Sequence, residues 1–126
     1  MPVIKVQSLP FHPPLQLSEI VVSISYSVSQ AIDIDVEHVM CSWSFFESDG
    51  FAVSGTTTPV QTKSTHPIVV DLILPNTHSK ETVSIIMSTI AGQIAESTAV
   101  ERDNIFITAQ FVESKMVFEN GQIIQW

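Results

Sequence analysis

The chain has 126 residues, a length that fits one domain built around one core. Hydrophobic residues make up 44% of it and charged residues only 14%, which excludes a disordered chain and favours an apolar surface buried against another subunit. The net charge of -8 excludes nucleic acid and anionic membrane as partners, because no basic patch can neutralise their phosphates.

The sequence carries only weak signals for membrane or secretory targeting, for disulfide formation and for metal binding. No apolar run is long enough to cross a bilayer, and the first residues lack the pattern of a signal peptide. The single cysteine, Cys41, excludes an intrachain disulfide, so a reducing, cytoplasmic location is expected. The four histidines lack metal-ligand spacing and acidic clusters, so we predict neither a metal site nor a cofactor.

The chain opens on MPVIKVQSLP, an apolar run in which Pro2 follows the first methionine. Residues 2–8 are predicted to form a strand, which proline can begin because it has no backbone N–H to leave unpaired. If Met1 is removed, the nitrogen of Pro2 becomes a free secondary amine at the tip of that strand. A structural and a catalytic role for Pro2 are both open at this point.

The next segment, residues 16–33, is ambiguous. It contains VVSISYSVSQ, whose alternation of apolar residues with serine is by itself typical of a strand. Its apolar residues also fall on one helical stripe. The rest of the first half is predicted to contain a strand at 38–46 and a turn at 48–50 with a hairpin strand at 51–55. A polar linker follows at 56–65. The second half is predicted to contain a strand at 67–74, a helix at 78–97 that Asn76 or Thr77 can cap, a strand at 104–112 and a hairpin at 115–125.

Three segments of the first half recur in the same order about 65 residues later. MPVIKVQSLP aligns with HPIVVDLILP, FFESDGFAVSG resembles FVESKMVFENG, and Val36-Glu37 resembles Val100-Glu101. The order predicts one domain, residues 1–126, made of two repeats at about 1–60 and 61–126. Because the pattern at 78–97 is helical, its counterpart at 16–33 is also predicted to be a helix.

Each repeat is thus strand, helix, strand, with one crossover that makes its two strands parallel. Two repeats give an α+β fold, a two-layer sandwich with a four-stranded mixed sheet, two helices on one face and short hairpin strands. The strand IVVDLILP is almost continuously apolar, as expected when both faces of a strand are buried. Since two helices cover only one face, another subunit is predicted to cover the other.

A duplicated unit that opens with Met-Pro resembles the tautomerase superfamily, over the whole chain. PVIKV is similar to the family's first strand, and FAVSGTTTP resembles the macrophage migration inhibitory factor branch. LPNTHSKET and FVESKMVFENG resemble the malonate semialdehyde decarboxylase and cis-3-chloroacrylate dehalogenase branches. The resemblance implies a homotrimer whose sheets line a central barrel, with an active site around Pro2 at each subunit edge.

What the resemblance implies for function is an isomerase that uses the amine of Pro2 on a small carbonyl or enol substrate. An α-amino group titrates near neutrality, and burial among apolar side chains lowers its pKa further. The neutral amine can remove a proton next to a carbonyl and return it elsewhere, which is keto–enol isomerisation. A protonated amine would instead serve as an acid in hydration or decarboxylation.

The expected substrate-binding residues differ from those of the relatives. Relatives that act on carboxylates hold them with arginines, whose positions fall near Asn76 and His78 here. The only arginine, Arg102, simply leads into a strand, so no bidentate guanidinium is predicted to hold a dicarboxylate. Asn76 and His78 are therefore predicted to hydrogen-bond a less charged substrate.

Two further positions follow from the resemblance. Glu37, beside His38, falls where the dehalogenase branch places a water-activating acid, and Phe118 falls where an aromatic lines the pocket of relatives. Two alternatives stay open: a non-catalytic oligomeric binding protein on the same fold, and a different α+β binding module that only mimics the repeat. Retention of Met1 would decide against catalysis, because an amide nitrogen at Pro2 is not a base.

Overall fold

The structure, a computed structural model, describes residues 1–126. Its helices and strands are β1 (Val3–Ser8), α1 (Leu17–Ala31), β2 (Met40–Phe45), β3 (Ile68–Pro75), α2 (Lys80–Thr98), β4 (Ile105–Val112), β5 (Val117–Glu119) and β6 (Gln122–Ile124). One-turn 3₁₀ helices at Val36–His38 and Arg102–Asn104 lead into β2 and β4.

The main sheet has the order β2-β1-β3-β4, and β5 pairs with β6 in a separate hairpin. β1 and β2 are parallel, β3 and β4 are parallel, and the central pair β1 and β3 is antiparallel. This arrangement confirms the predicted α+β fold with a four-stranded mixed sheet and two helices. Val3 lies between Met40 and Ile73, so the starts of β1 and β2 meet the end of β3 at one end of the sheet.

α1 is a helix despite its strand-like alternation of serines. Ile20, Ile24 and Val28 share one face and are buried in the core, which favours the helical period over the strand period. Ser25 donates from Oγ to the Val21 carbonyl oxygen at 2.8 Å, so that hydroxyl is satisfied within the helix. Burial of the apolar stripe thus outweighs the weak helix propensity of serine.

α2 begins later than predicted. Ser79 caps the helix, since its Oγ accepts a hydrogen bond from the Thr82 backbone N–H at 3.1 Å. The prediction that Asn76 or Thr77 caps it was wrong, because Asn76 still belongs to the sheet: its backbone N–H donates to the Val112 carbonyl oxygen at 3.0 Å. Neither α1 nor α2 combines the length and the apolar character that a membrane span needs.

The core lies between the two helices and one face of the sheet. Along β3, four side chains on the helix side are fully buried: Ile68, Val70, Leu72 and Leu74. The side chains between them lie on the opposite face, where Val69 and Ile73 are half-buried and Asp71 is exposed. Within one chain β3 is therefore buried on one face only, and cover for the second face stays a prediction.

The two predicted hairpins differ in outcome. The C-terminal one forms, with Asn120 and Gly121 both at positive φ in the two-residue turn that joins β5 to β6. At 51–55 no strand forms, and only a bridge joins Val53 to Thr56. The loop is held instead by the buried His66, whose Nε2 donates to the Thr56 carbonyl oxygen at 2.8 Å.

Candidate active site

Pro2 lies immediately before β1 and is buried. Its carbonyl oxygen accepts a hydrogen bond from the Met40 backbone N–H at 3.0 Å, which continues the ladder between β1 and β2. The register places Pro2 at the end of the sheet where β3 ends and the loop to α2 begins. The predicted catalytic residue is therefore held by backbone pairing, at a point that loops from three directions can reach.

The amino group of Met1 lies at this same end of the sheet. Burial lowers the pKa of this amine below its ordinary value of 8.0, because the charged form loses solvation. The carboxylate of Glu119, on β5, opposes that effect by stabilising the positive charge. An amine in these surroundings is shifted toward its neutral form, in which the nitrogen lone pair can accept a proton.

His78 is the predicted site residue that couples most directly to the amino terminus. It is half-buried in the loop between β3 and α2, and burial lowers the pKa of its imidazole. The positive charge of the Met1 amine lowers that pKa further, so the two groups lie close enough to repel each other. The imidazole is therefore favoured in its neutral form, which can both donate and accept a hydrogen bond.

Asn76 also lies in this loop, where it contacts the other end of the chain. The indole Nε1–H of Trp126 donates to Oδ1 of Asn76 at 2.8 Å. The backbone N–H of Trp126 donates to Oγ of Ser114 at 2.9 Å, so the last residues are held by a side-chain and a backbone contact. Both β5 and Trp126 thus approach the loop that carries Asn76 and His78.

Glu37 and Phe118 are less closely tied to the amine. Glu37 lies in the 3₁₀ helix before β2, at the same end of the sheet as Pro2, and its largely exposed carboxylate is 3.7 Å from Nε2 of His38. Phe118 is 71% exposed on β5. Because neighbouring strand residues point to opposite faces, Phe118 faces away from the side that Glu119 presents to the amine. The roles predicted for both residues stay predictions.

Arg102 lies at the other end of the sheet. It precedes β4, whose first residue pairs with the first residue of β3, whereas Asn76 follows the end of β3. Its Nη2 donates to Oγ of Ser88 on α2 at 3.1 Å. The single guanidinium of the chain is thus held far from Pro2, and a carboxylate at the amino terminus would have to be held by other donors.

Two other features, a cysteine thiol and a surface concavity, could react or bind a ligand, but both lie apart from the amine. Burial raises the pKa of the Cys41 thiol to about 11, so this sulfur is protonated at neutral pH and a poor nucleophile. A concavity of about 530 Å³ lies at the opposite end of the sheet, between Phe11–Gln16 and α1, and contains none of the predicted site residues. No three His, Cys, Asp or Glu side chains are placed to hold a metal ion.

Sequence reasoning missed Glu119 and Trp126. Glu119 belongs to the ENG motif, which indicated only a turn, and nothing in its neighbours indicates a contact with residue 1. Trp126 carried a weak signal, because a tryptophan combines a large apolar ring with a donor that seeks a partner. Glu119 acts on the first residue of the chain, and Trp126 contacts a residue 50 positions before it.

The coupling between His78 and the amine is measurable. We expect His78 to titrate below 6.5 by NMR, and acetylation of the terminal amine to raise the pKa of His78 part of the way, because burial remains when the positive charge is removed. The pKa of His78 is lower in the folded protein than in the unfolded chain. His78 therefore lowers the stability of the folded protein as the pH falls below the unfolded pKa, because the unfolded chain binds the proton more readily. His78→Gln assigns the signal, and an unchanged midpoint after acetylation would show that the two groups are apart.

Solved structures with the same fold cover almost the whole chain. A fused 4-OT, described as an asymmetric trimer, has a TM-score of 0.81 and 16% identity over 96% of this chain and 94% of its own. A macrophage migration inhibitory factor homologue from Prochlorococcus marinus has a TM-score of 0.76 and 17% identity over 97% and 98%. A member of the cis-3-chloroacrylic acid dehalogenase family has a TM-score of 0.78 and 7% identity over 97% and 82%.

No protein-family model and no curated protein matches the sequence. The likeness is therefore one of backbone architecture, at identities of 7% to 17%. It covers 96% to 97% of the chain in these three structures. The chain shares the fold of the fused 4-OT, the dehalogenase-family member and the macrophage migration inhibitory factor homologue, as the Met-Pro opening and the internal repeat predict.

Proposed function

We propose that the chain is a tautomerase-type isomerase in which the amine of Pro2, freed by removal of Met1, transfers a proton on a small carbonyl or enol substrate. The observation that carries the proposal is the burial of Pro2 at the end of the sheet where an amino group has a lowered pKa. Removal of Met1 leaves the terminal amine on Pro2 itself, which is buried in the full chain. The proline ring then fixes the direction of the nitrogen lone pair.

The proposed step is a proton transfer. The neutral amine takes a proton from the carbon next to the carbonyl, so that the C–H bond breaks, an N–H bond forms and negative charge develops on the substrate oxygen. The ammonium then returns its proton to a different atom of the substrate. His78 donates a hydrogen bond to the developing oxyanion, and Glu119 stabilises the transient ammonium.

We propose that the protein works as a homotrimer in a reducing compartment such as the cytoplasm. The half-buried side chains of Val69 and Ile73 on the uncovered sheet face support association, and a protein with this fold is described as a trimer. A neighbouring copy would then enclose the amino terminus. We further propose that the two strand–helix–strand units descend from one duplicated unit. A free Cys41 thiol fits reducing conditions.

The direct test is covalent labelling of Pro2. The acetylenic ketone 2-oxo-3-pentynoate inactivates another protein of this fold. A free amine at Pro2 should add through its nitrogen to the alkyne carbon remote from the ketone, with the amine proton passing to the adjacent carbon. We expect intact mass to show loss of Met1 and one reagent per chain, and peptide mapping to place the reagent on Pro2.

The labelling needs a control for other nucleophiles. Cys41→Ser should be labelled at the same rate as the parent, because the reactive group is the amine. Retention of Met1 in untagged protein, or equal labelling of several lysines, would contradict the proposal. An unlabelled chain that still forms an oligomer would instead support the non-catalytic binding protein.

A further inference from the structure

We infer that Trp126 is a positioning residue that orients the side-chain amide of Asn76 as a hydrogen-bond donor for an oxo monocarboxylate or its enol. The inference rests on the proposed function, because it assigns the substrate class of the same site. It starts from one contact, the hydrogen bond of 2.8 Å between Nε1 of Trp126 and Oδ1 of Asn76. Nothing in the sequence pattern pointed to this pair.

The chemistry of the indole decides the orientation of the amide. An indole nitrogen can only donate a hydrogen bond, so the amide must present its single oxygen to Trp126. The amide nitrogen then points the opposite way and carries two N–H donors. Asn76 is exposed, and within the chain its Nδ2 has no hydrogen-bond partner. An amide held in this way is a fixed donor without charge.

The position of this donor fits the proposed site. The backbone N–H of Asn76 is bound to the Val112 carbonyl oxygen at 3.0 Å, so the side chain projects from a fixed point at the end of β3. His78, two residues later, is close enough to the amino terminus for the amine to lower its pKa. Amide, imidazole and amine are therefore grouped at one end of the sheet.

The charges of the site select the class of ligand. Asn76 and neutral His78 offer hydrogen bonds without a fixed positive charge, while Glu119 repels anions and Arg102 lies at the far end of the sheet. A dicarboxylate would leave a second negative charge unpaired there. One carboxylate or enolate oxygen, in contrast, can accept a hydrogen bond from an N–H of the amide. Together with the carbonyl that the proposed function requires, this assigns the site to oxo monocarboxylates.

The experiment is an NMR titration of ¹⁵N-labelled protein with pyruvate, the simplest ligand of this class. The chain has two tryptophans, and Trp43→Phe assigns the remaining indole signal to Trp126. We expect pyruvate to shift the Trp126 indole and the Asn76 side-chain signals. The Trp43 indole should not shift, because its N–H is bound to Oγ of Ser8, at the other end of β1.

Two substitutions separate binding from orientation. Asn76→Asp keeps an acceptor for Trp126 but removes the two N–H donors of the amide. It should weaken pyruvate binding about 10- to 100-fold. Trp126→Phe keeps an aromatic ring but leaves the amide of Asn76 free to rotate. It should weaken pyruvate binding about three- to ten-fold, and it should raise KM without lowering kcat. The matched controls are Trp43→Phe, which should leave the affinity unchanged, and Asn120→Asp, which adds the same charge in the hairpin turn and should weaken pyruvate binding far less than Asn76→Asp.

The outcomes distinguish this inference from the proposed function. Pyruvate that shifts neither the Trp126 nor the Asn76 signals, or binds parent and Asn76→Asp equally, overturns the inference. An effect of Asn120→Asp as large as that of Asn76→Asp overturns it too, because charge alone would then explain the loss. Intact pyruvate binding without labelling of Pro2 would refute the proposed catalysis and leave the assignment of Trp126 and Asn76 standing.

Discussion

A chain whose Pro2 nitrogen is held in a peptide bond will lose about 10²- to 10⁴-fold of its activity in ketonising phenylenolpyruvate, the contribution expected of one general base. The reason is that an amide nitrogen has no basic lone pair. The comparison is between untagged protein that has lost Met1 and the same chain with a permanent amino-terminal extension, by initial rates at matched concentration. Pro2→Ala should fall between them, because it keeps an amine but loses the ring that orients it.

The pH dependence gives an independent check of the same mechanism. The rate should rise with pH with its midpoint at the pKa of the Pro2 amine, and burial should lower that pKa as it lowers the pKa of the Met1 amine, because burial favours the neutral base. Glu119→Gln should move that midpoint lower, since the carboxylate is the group that raises the pKa of the amine. Equal rates for the extended and the processed chain, at any pH, would rule out the amine as the base.

Leu72→Ala will lower the free energy of unfolding by about 2–5 kcal/mol, a large part of the roughly 5–15 kcal/mol that stabilises a typical domain. Leu72 is fully buried on β3, between Ile4 and Ala109 in the sheet and beneath the helices. The substitution removes apolar contacts and leaves a cavity in the centre of the core. Urea unfolding followed by circular dichroism measures the loss.

The matched variant is Ile73→Ala, one residue along the same strand. The side chain of Ile73 lies on the uncovered face and is only half-buried in one chain. In a monomer, Ile73→Ala should therefore lower the free energy of unfolding much less than Leu72→Ala does. If copies of the chain cover that face, Ile73→Ala should weaken the oligomer and make stability depend on protein concentration. A parent that sediments as a monomer, with stability unaffected by Ile73→Ala, would contradict the proposed trimer.

Local patterns in the sequence were sufficient for the order and type of the main elements. The helical pattern at 78–97 predicted α2 and, through the repeat, α1, and the ENG turn predicted the last hairpin, because periodicity and turn chemistry act over a few residues. The cap of α2 was misplaced by three residues from Asn76. There the continuing pairing of β3 with β4 competed with the cap, and that competition is a tertiary effect.

The candidate site divides in the same way. Pro2, His78 and Asn76 could be predicted because each lies in a short segment with a recognisable pattern. Glu119 and Trp126 could not, because their partners are the first residue and a residue 50 positions away. No local pattern carries such pairs, and they exist only once the hairpin packs against the loop after β3.

By itself, the sequence determined the two main helices and the four strands of the sheet, the unit that recurs, and the residue whose nitrogen could act as a base, but not the outcome at 51–55, where no strand forms. These depend on neighbours within a few residues, where backbone preference and apolar periodicity dominate. The tertiary structure alone decided that the amine lies beside His78 and Glu119, that Arg102 lies at the far end of the sheet, and that Trp126 orients Asn76. Those relations arise from packing between distant segments, in which burial and charge act through space rather than along the chain.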